Sequence, residues 1–142
     1  MIRILHIIGS TDPRSGGPIE GIRQLDVVMK KLGGHRDIVT LDYHRASHID
    51  NFGFKVFAVG DQSSPSRSWL RPLSRYGYTP GLLPWLEAHV TDYDCVIVNG
   101  LWNYATFASA RILPQSNVPY FVFTHGMLDP WFRKIVIAPC KT

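Results

Sequence analysis

Residues 3–21 read RILHIIGSTDPRSGGPIEG. An apolar run from Arg3 to Ile8 is followed by a loop holding Gly9, Pro13 and the adjacent pair Gly16-Gly17, and then by Pro18 at the head of an amphipathic stretch. A buried strand, a glycine-bearing turn and a helix, in that order, open a βαβ unit. Whether the unit is repeated decides the fold.

It is repeated. Strand-like runs recur at Arg3–Ile8, Asp37–Leu41, Phe54–Val59, Cys95–Asn99 and Pro119–Phe123. They are short and nearly all apolar, as expected of strands covered on both faces in a parallel sheet. Helical patterns lie between them. The first spans Pro18 to Leu32, with Ile19, Ile22, Leu25, Val28, Met29 and Leu32 at spacings of three or four, and Gly33-Gly34 closing it. A second helix is predicted to begin near Thr79-Pro80 and to carry Leu82, Leu83, Leu86 and Val90. A third runs from about Trp102 to Leu113 and stops before Pro114, and Asp129-Pro130 looks like the cap and first position of a fourth. Alternating strands and helices predict right-handed crossovers and a three-layer α/β/α fold with a mainly parallel sheet. Residues 42–53 show no helical pattern, so the second and third strands are expected to join by a loop. Residues 61–78, rich in Ser, Pro, Arg and aromatics, are an excursion from the sheet.

The composition bounds the function. The chain has 142 residues, 45% apolar and 18% charged, which suits one globular domain. A net charge of +4 permits an anionic ligand or an acidic membrane surface and requires neither, and no nucleic-acid partner is expected. Cys95 and Cys140 make no metal or redox motif, and Cys95, inside an apolar run, is expected to be a buried thiol. With no signal peptide and no apolar run near the ~20 residues of a membrane span, a cytoplasmic protein is expected, with peripheral contact at the inner membrane face left open. His35, His44 and His48 lack metal-ligand spacing, so no metal is proposed, and His6 inside the first strand reads as a satisfied core residue.

In open α/β sheets, ligands bind outside the carboxyl ends of the strands. Three loops fall there: 9–17, 99–102 and 124–129. Gly16-Gly17 at a helix N-terminus is suited to a phosphate, because unpaired amides and the helix dipole favour an anion; a plain turn is the other reading. The pattern is neither the dinucleotide fingerprint nor a P-loop. His125, beside Gly126 at a strand end, is placed to bond a sugar hydroxyl or to steady developing charge, or else is tied to local backbone. Asn99, Trp102 and Asn103 suit a polyol, since amides bond hydroxyls and aromatic faces stack on sugars; alternatively Trp102 and Tyr104 pack on the sheet. Arg71 and Arg75, among the aromatics of 67–78, suit a lipid-linked or phosphorylated acceptor, or simply line a solvated loop. Asp129 reads as a helix cap.

The order of these features resembles the N-terminal domain of a GT-B glycosyltransferase of family 4, the retaining nucleotide-sugar enzymes. The residues that carry the resemblance are Arg3-Ile-Leu-His-Ile-Ile, Gly16-Gly17-Pro18, Asp92-Tyr-Asp-Cys-Val-Ile-Val-Asn-Gly and Pro119-Tyr-Phe-Val-Phe-Thr-His125-Gly126, with Met127-Leu-Asp-Pro-Trp following. It covers residues 1–134 and implies a Rossmann-like domain that holds mainly the acceptor. By the same resemblance, Gly16-Gly17 approaches the donor diphosphate, His125 contacts the donor sugar, and no metal is needed. The nucleotide sugar is a substrate, not a cofactor. A C-terminal domain carries most donor contacts in such enzymes. Here it is expected to be absent, the N-terminal domain to be incomplete, and 135–142 to be an atypical tail. The isolated chain is therefore expected to be inactive, with exposed apolar surface suited to self-association. A stand-alone, non-catalytic module that binds a nucleotide, an anion or a partner chain is the competing expectation.

Overall fold

The computed structural model describes residues 1–45, 53–60 and 76–130. Five strands form one sheet: β1 (Arg3–Ile8), β2 (His35–Tyr43), β3 (Lys55–Gly60), β4 (Cys95–Asn99) and β5 (Tyr120–Phe123). Their spatial order is β3-β2-β1-β4-β5, and every pairing is parallel. Among the described residues three α-helices accompany them: α1 (Gly17–Lys31), α2 (Leu82–His89) and α3 (Tyr104–Ser116). This is the α/β, Rossmann-like arrangement the sequence predicts.

Alternation along the strands divides the core in two. Leu5, Ile7, Val39, Val96 and Val98 pack with Leu82, Leu86, Ala105, Ala108 and Leu113 from α2 and α3. The opposite face sets Ile8 and Ile38 against Ile19 and Ile22 of α1. A period of two in the strands and of three to four in the helices produces both layers. β5 is an edge strand whose four residues are all exposed.

Several boundaries differ from the expectation. β2 extends two residues beyond each predicted end, because His35 pairs with Arg3 and Tyr43 with Gly60 past a register shift. α3 does not stop at Pro114 but runs through it to Ser116. Pro114 sits in the last turn, where Ser116 Oγ donates to the Leu113 carbonyl and Asn117, at φ 58°, caps the end. On α1 the face toward the sheet is Ile19, Ile22 and Asp26, while Leu25, Val28 and Leu32 are exposed. The apolar stripe therefore overstates what the sheet covers. Cys95 is half-buried rather than buried, and burial pushes its thiol pKa up. The expected fourth helix after Pro130, the 135–142 tail, Arg71, Arg75 and most of the 61–78 excursion lie outside the described residues.

Candidate ligand-binding site

The chain leaves β1 for one face of the sheet through α1, and enters β4 from the other face through α2. The carboxyl ends of β1 and β4 therefore diverge, which is the switch point where open α/β sheets hold ligands. A cavity of about 390 Å³ lies there. Its wall draws Gly9 and Ser10 from the end of β1, Gly16 and Pro18 from the head of α1, and Asn99, Gly100 and Asn103 around the end of β4.

The loop after β1 is held from below by Asp42. Its carboxylate accepts from Ser10 Oγ at 2.8 Å, the Thr11 amide at 2.7 Å, Thr11 Oγ1 at 2.8 Å and Thr40 Oγ1 at 2.8 Å. Burial pushes this carboxyl pKa up, but the hydrogen bonds outweigh it and leave it below the ordinary value. Beyond the clamp, Asp12 caps a single 3-10 turn at Pro13–Ser15, and its carboxylate accepts from Arg14. Gly16, φ 111°, then stands as the N-cap of α1, with no side chain capping the helix's first amides. Only glycine takes that backbone angle without strain. The first amides of α1 thus open beside the cavity, a setting that favours an anion.

The β4 side is built differently. Asn103 caps α3, its Oδ1 accepting from the Thr106 amide at 3.1 Å. Its amide nitrogen faces Gly9, where a Cβ would stand 3.0 Å away, so a side chain at position 9 would crowd it. The Gly100 amide donates to the Phe123 carbonyl at 2.8 Å, and the Trp102 indole donates to the Met127 carbonyl at 3.2 Å. These two bonds tie the loop after β4 to the end of β5 and to the loop that follows it.

His125 stands in that second loop in the left-handed region, φ 49°, followed by Gly126 at φ 78°. Its Nε2 lies 3.2 Å from Asn99 Oδ1. Partial burial lowers its pKa, which favours the neutral ring.

Of the residues singled out in the sequence, Gly16, Asn99 and Asn103 meet at the cavity, and His125 joins them through Asn99. Gly17 does not line the cavity. Trp102 is exposed, with φ 63°, and spends its indole N–H on Met127, while Tyr104 is buried against the rings of Tyr78 and Phe107. Tyr76, Gly77 and Met127 also line the cavity and were not anticipated. The cue for Gly77 is steric: a Cβ there would come within 2.6 Å of Leu41. His6 is indeed a core residue, 2% exposed, but it belongs to the same polar chain as Asn99. Among the described residues no cluster of His, Cys, Asp and Glu is able to hold a metal ion, and no helix is long and apolar enough to cross a membrane.

Fold and cavity define an α/β protein of Rossmann-like build with a cavity at the sheet's switch point. No family model matches the chain, and no curated protein sequence matches it. Solved structures do. A sucrose-phosphate synthase from Thermosynechococcus elongatus superposes with a TM-score of 0.62 at 18% identity, over 98% of this chain and 36% of that one. The chain thus spans about a third of that synthase. The C-terminal domain of a Pyrococcus furiosus hydrogenase superposes with a TM-score of 0.53 at 13% identity, over 85% of this chain and 89% of that one. At these identities the likeness is one of fold, and it includes a glycosyltransferase.

Proposed function

We propose that this chain is the acceptor-side, N-terminal domain of a nucleotide-sugar-dependent glycosyltransferase of GT-B build, related to family 4 and working in polysaccharide or glycolipid synthesis. The observation that carries the reading is the cavity at the switch point. It joins the uncapped start of α1, at Gly16 and Pro18, to a wall that includes Asn99 and Asn103. The likeness to a sucrose-phosphate synthase over nearly the whole of this chain supports it.

In this reading the first amides of α1, with Gly16 and Gly17, approach the donor diphosphate. Asn99 and Asn103 bond acceptor or sugar hydroxyls, Trp102 offers a stacking face at the rim, and His125 contacts the donor sugar. Arg71 and Arg75 would meet a lipid-linked or phosphorylated acceptor at the membrane surface. A second domain would supply most donor contacts, so this chain alone is expected to bind weakly and to turn over nothing.

The test is amide chemical-shift mapping with a uridine diphosphate sugar, the free nucleotide and NAD. Shifts at Gly16, Asn99, Gly100 and Asn103 with the nucleotide sugar, without turnover, are the expected result. Shifts with NAD alone would overturn the reading. The competing reading, a stand-alone binding module, is favoured by the hydrogenase domain, which matches this chain over 89% of its own length. Under that reading the same amides respond to simple anions as strongly as to the nucleotide sugar.

A further inference from the structure

His6 is a buried group that the proposed chemistry does not use. It lies on the sheet face under α1, beside Arg36 of β2, which is 5% exposed. Arg36 donates Nε–H to His6 Nε2 at 3.2 Å, its Nη2 stands 2.6 Å from the same atom, and its Nη1 donates to the Ile22 carbonyl at 3.2 Å. Burial, then the Arg36 charge, holds the His6 pKa down at about 3, so the ring is neutral.

Arginine keeps its protons, so His6 Nε2 must be the bare nitrogen and its single proton must sit on Nδ1. That N–H points at the Asn99 side-chain amide, 3.3 Å from the atom placed as nitrogen. Oxygen and nitrogen of an amide have nearly the same shape, and the hydrogen-bond network decides between them. An NH2 facing an N–H would strand a buried donor. With the amide turned, its oxygen accepts from His6 and its NH2 faces His125 Nε2 at the 3.2 Å position. The turn gives up the two bonds that the NH2 donates to the Ile7 and Ile97 carbonyls, at 3.4 and 3.2 Å, both of which lie within paired strands, and gains a proton accepted from His6 and one donated to His125.

We propose that Arg36 and His6 act through Asn99 as positioning residues that fix His125 in its Nδ1–H tautomer, making it a hydrogen-bond donor to the ligand and not a base. The inference rests on reading His125 as a ligand contact. It adds the chemistry of that contact: an acceptor oxygen, whether hydroxyl, ring or phosphate. Each partner passes the polarity on. A guanidinium that only donates sets His6, His6 sets the amide, and the amide sets His125.

Histidine tautomers are read directly by long-range proton–nitrogen correlation on the 15N-labelled protein at neutral pH. The expected spectrum has both His6 and His125 with the proton on Nδ1, His125 by about tenfold or more over the alternative, equivalent to ~1.4 kcal/mol. A His125 proton on Nε2 overturns the proposal. Asn99→Asp offers only acceptors, so it should move the His125 proton to Nε2 and leave His6 unchanged. A His125 signal that stays on Nδ1 in this variant overturns the proposal too. His6→Gln accepts from Arg36 and donates to Asn99, so it should keep the Nδ1–H form at His125, whereas His6→Leu should let it mix. Should a variant fail to fold, the wild-type spectrum decides alone. The tautomer needs no ligand, so an absence of nucleotide-sugar shifts counts against the function above and leaves this result standing.

Discussion

Removing the Asp42 carboxylate strips three hydrogen bonds from the loop after β1 and a fourth from Thr40 of β2. Their cost is unequal. Ser10 Oγ reaches water, and Thr40 Oγ1 has the Gly9 carbonyl within 3.5 Å. Thr11 is fully buried, so its amide and hydroxyl are the two donors left stranded. At about 1–1.5 kcal/mol for each orphaned donor, Asp42→Ala should lose about 2–3 kcal/mol. Asp42→Asn keeps one acceptor and should lose about half of that. Urea titration followed by tryptophan fluorescence measures both, as a lower midpoint at an unchanged slope. The pH dependence carries the sign. A carboxyl with a depressed folded pKa stabilises above its unfolded value of 3.8 and loses that contribution as pH falls through the folded value. The variants should therefore lose a stability increment that wild type sheds only in strong acid. An Asp42→Ala loss under about 0.5 kcal/mol at neutral pH would refute the clamp, since two buried donors cannot be stranded so cheaply.

The two front glycines should part company. Gly16→Ala forces a φ of 111° on a side chain and should cost about 1–2 kcal/mol by urea titration, whereas Gly17→Ala meets nothing within 4 Å and should be neutral or slightly stabilising. Leu86→Ala, at a fully buried site on α2, should cost about 2–5 kcal/mol, while Leu25→Ala on the open side of α1 should stay within about 0.5 kcal/mol in the same assay. Tyr93→Phe removes the hydroxyl that donates to buried Asp37 at 2.8 Å and should lower stability by about 1–3 kcal/mol, read as a drop in thermal midpoint. His6, neutral when folded but protonated below 6.5 when unfolded, should make wild-type stability fall with pH between 6.5 and about 3. The slope approaches about 1.4 kcal/mol per pH unit, and urea midpoints across that range should show it absent from His6→Gln.

β1 and β4 were legible because burial leaves little room for polar residues, and both match their predicted ends; β5 is equally apolar although all four of its residues are exposed. The ends of β2 were not, because His35, Arg36, Asp42 and Tyr43 look like loop residues until their partners are known. Arg36 is tolerable inside the fold only because His6 and the Ile22 carbonyl accept from it. On α1 the apolar period promised a wider contact than exists, since the residues it buries are Ile19, Ile22 and Asp26, while Leu25, Val28 and Leu32 stay exposed. For the site, position at strand ends pointed to Gly16, Asn99 and His125. It could not separate Trp102 from Tyr104, whose fates depend on a left-handed backbone angle at Trp102. Nor could it supply Tyr76, Gly77 or the bond between Asn99 and His6, positions 93 residues apart in the chain.

β1 gains its second partner long after its first. β1 sits at the centre of the sheet, between β2 and β4. During synthesis β2 follows it by about one helix, so one margin of β1 is paired early. The other must wait for Cys95–Asn99 to be made. Throughout that interval the nascent chain holds an open, apolar strand margin able to pair with any neighbour. Rapid growth past residue 99, or a chaperone that masks the margin until then, should matter more to the yield of folded protein than the strength of any single contact in the finished sheet.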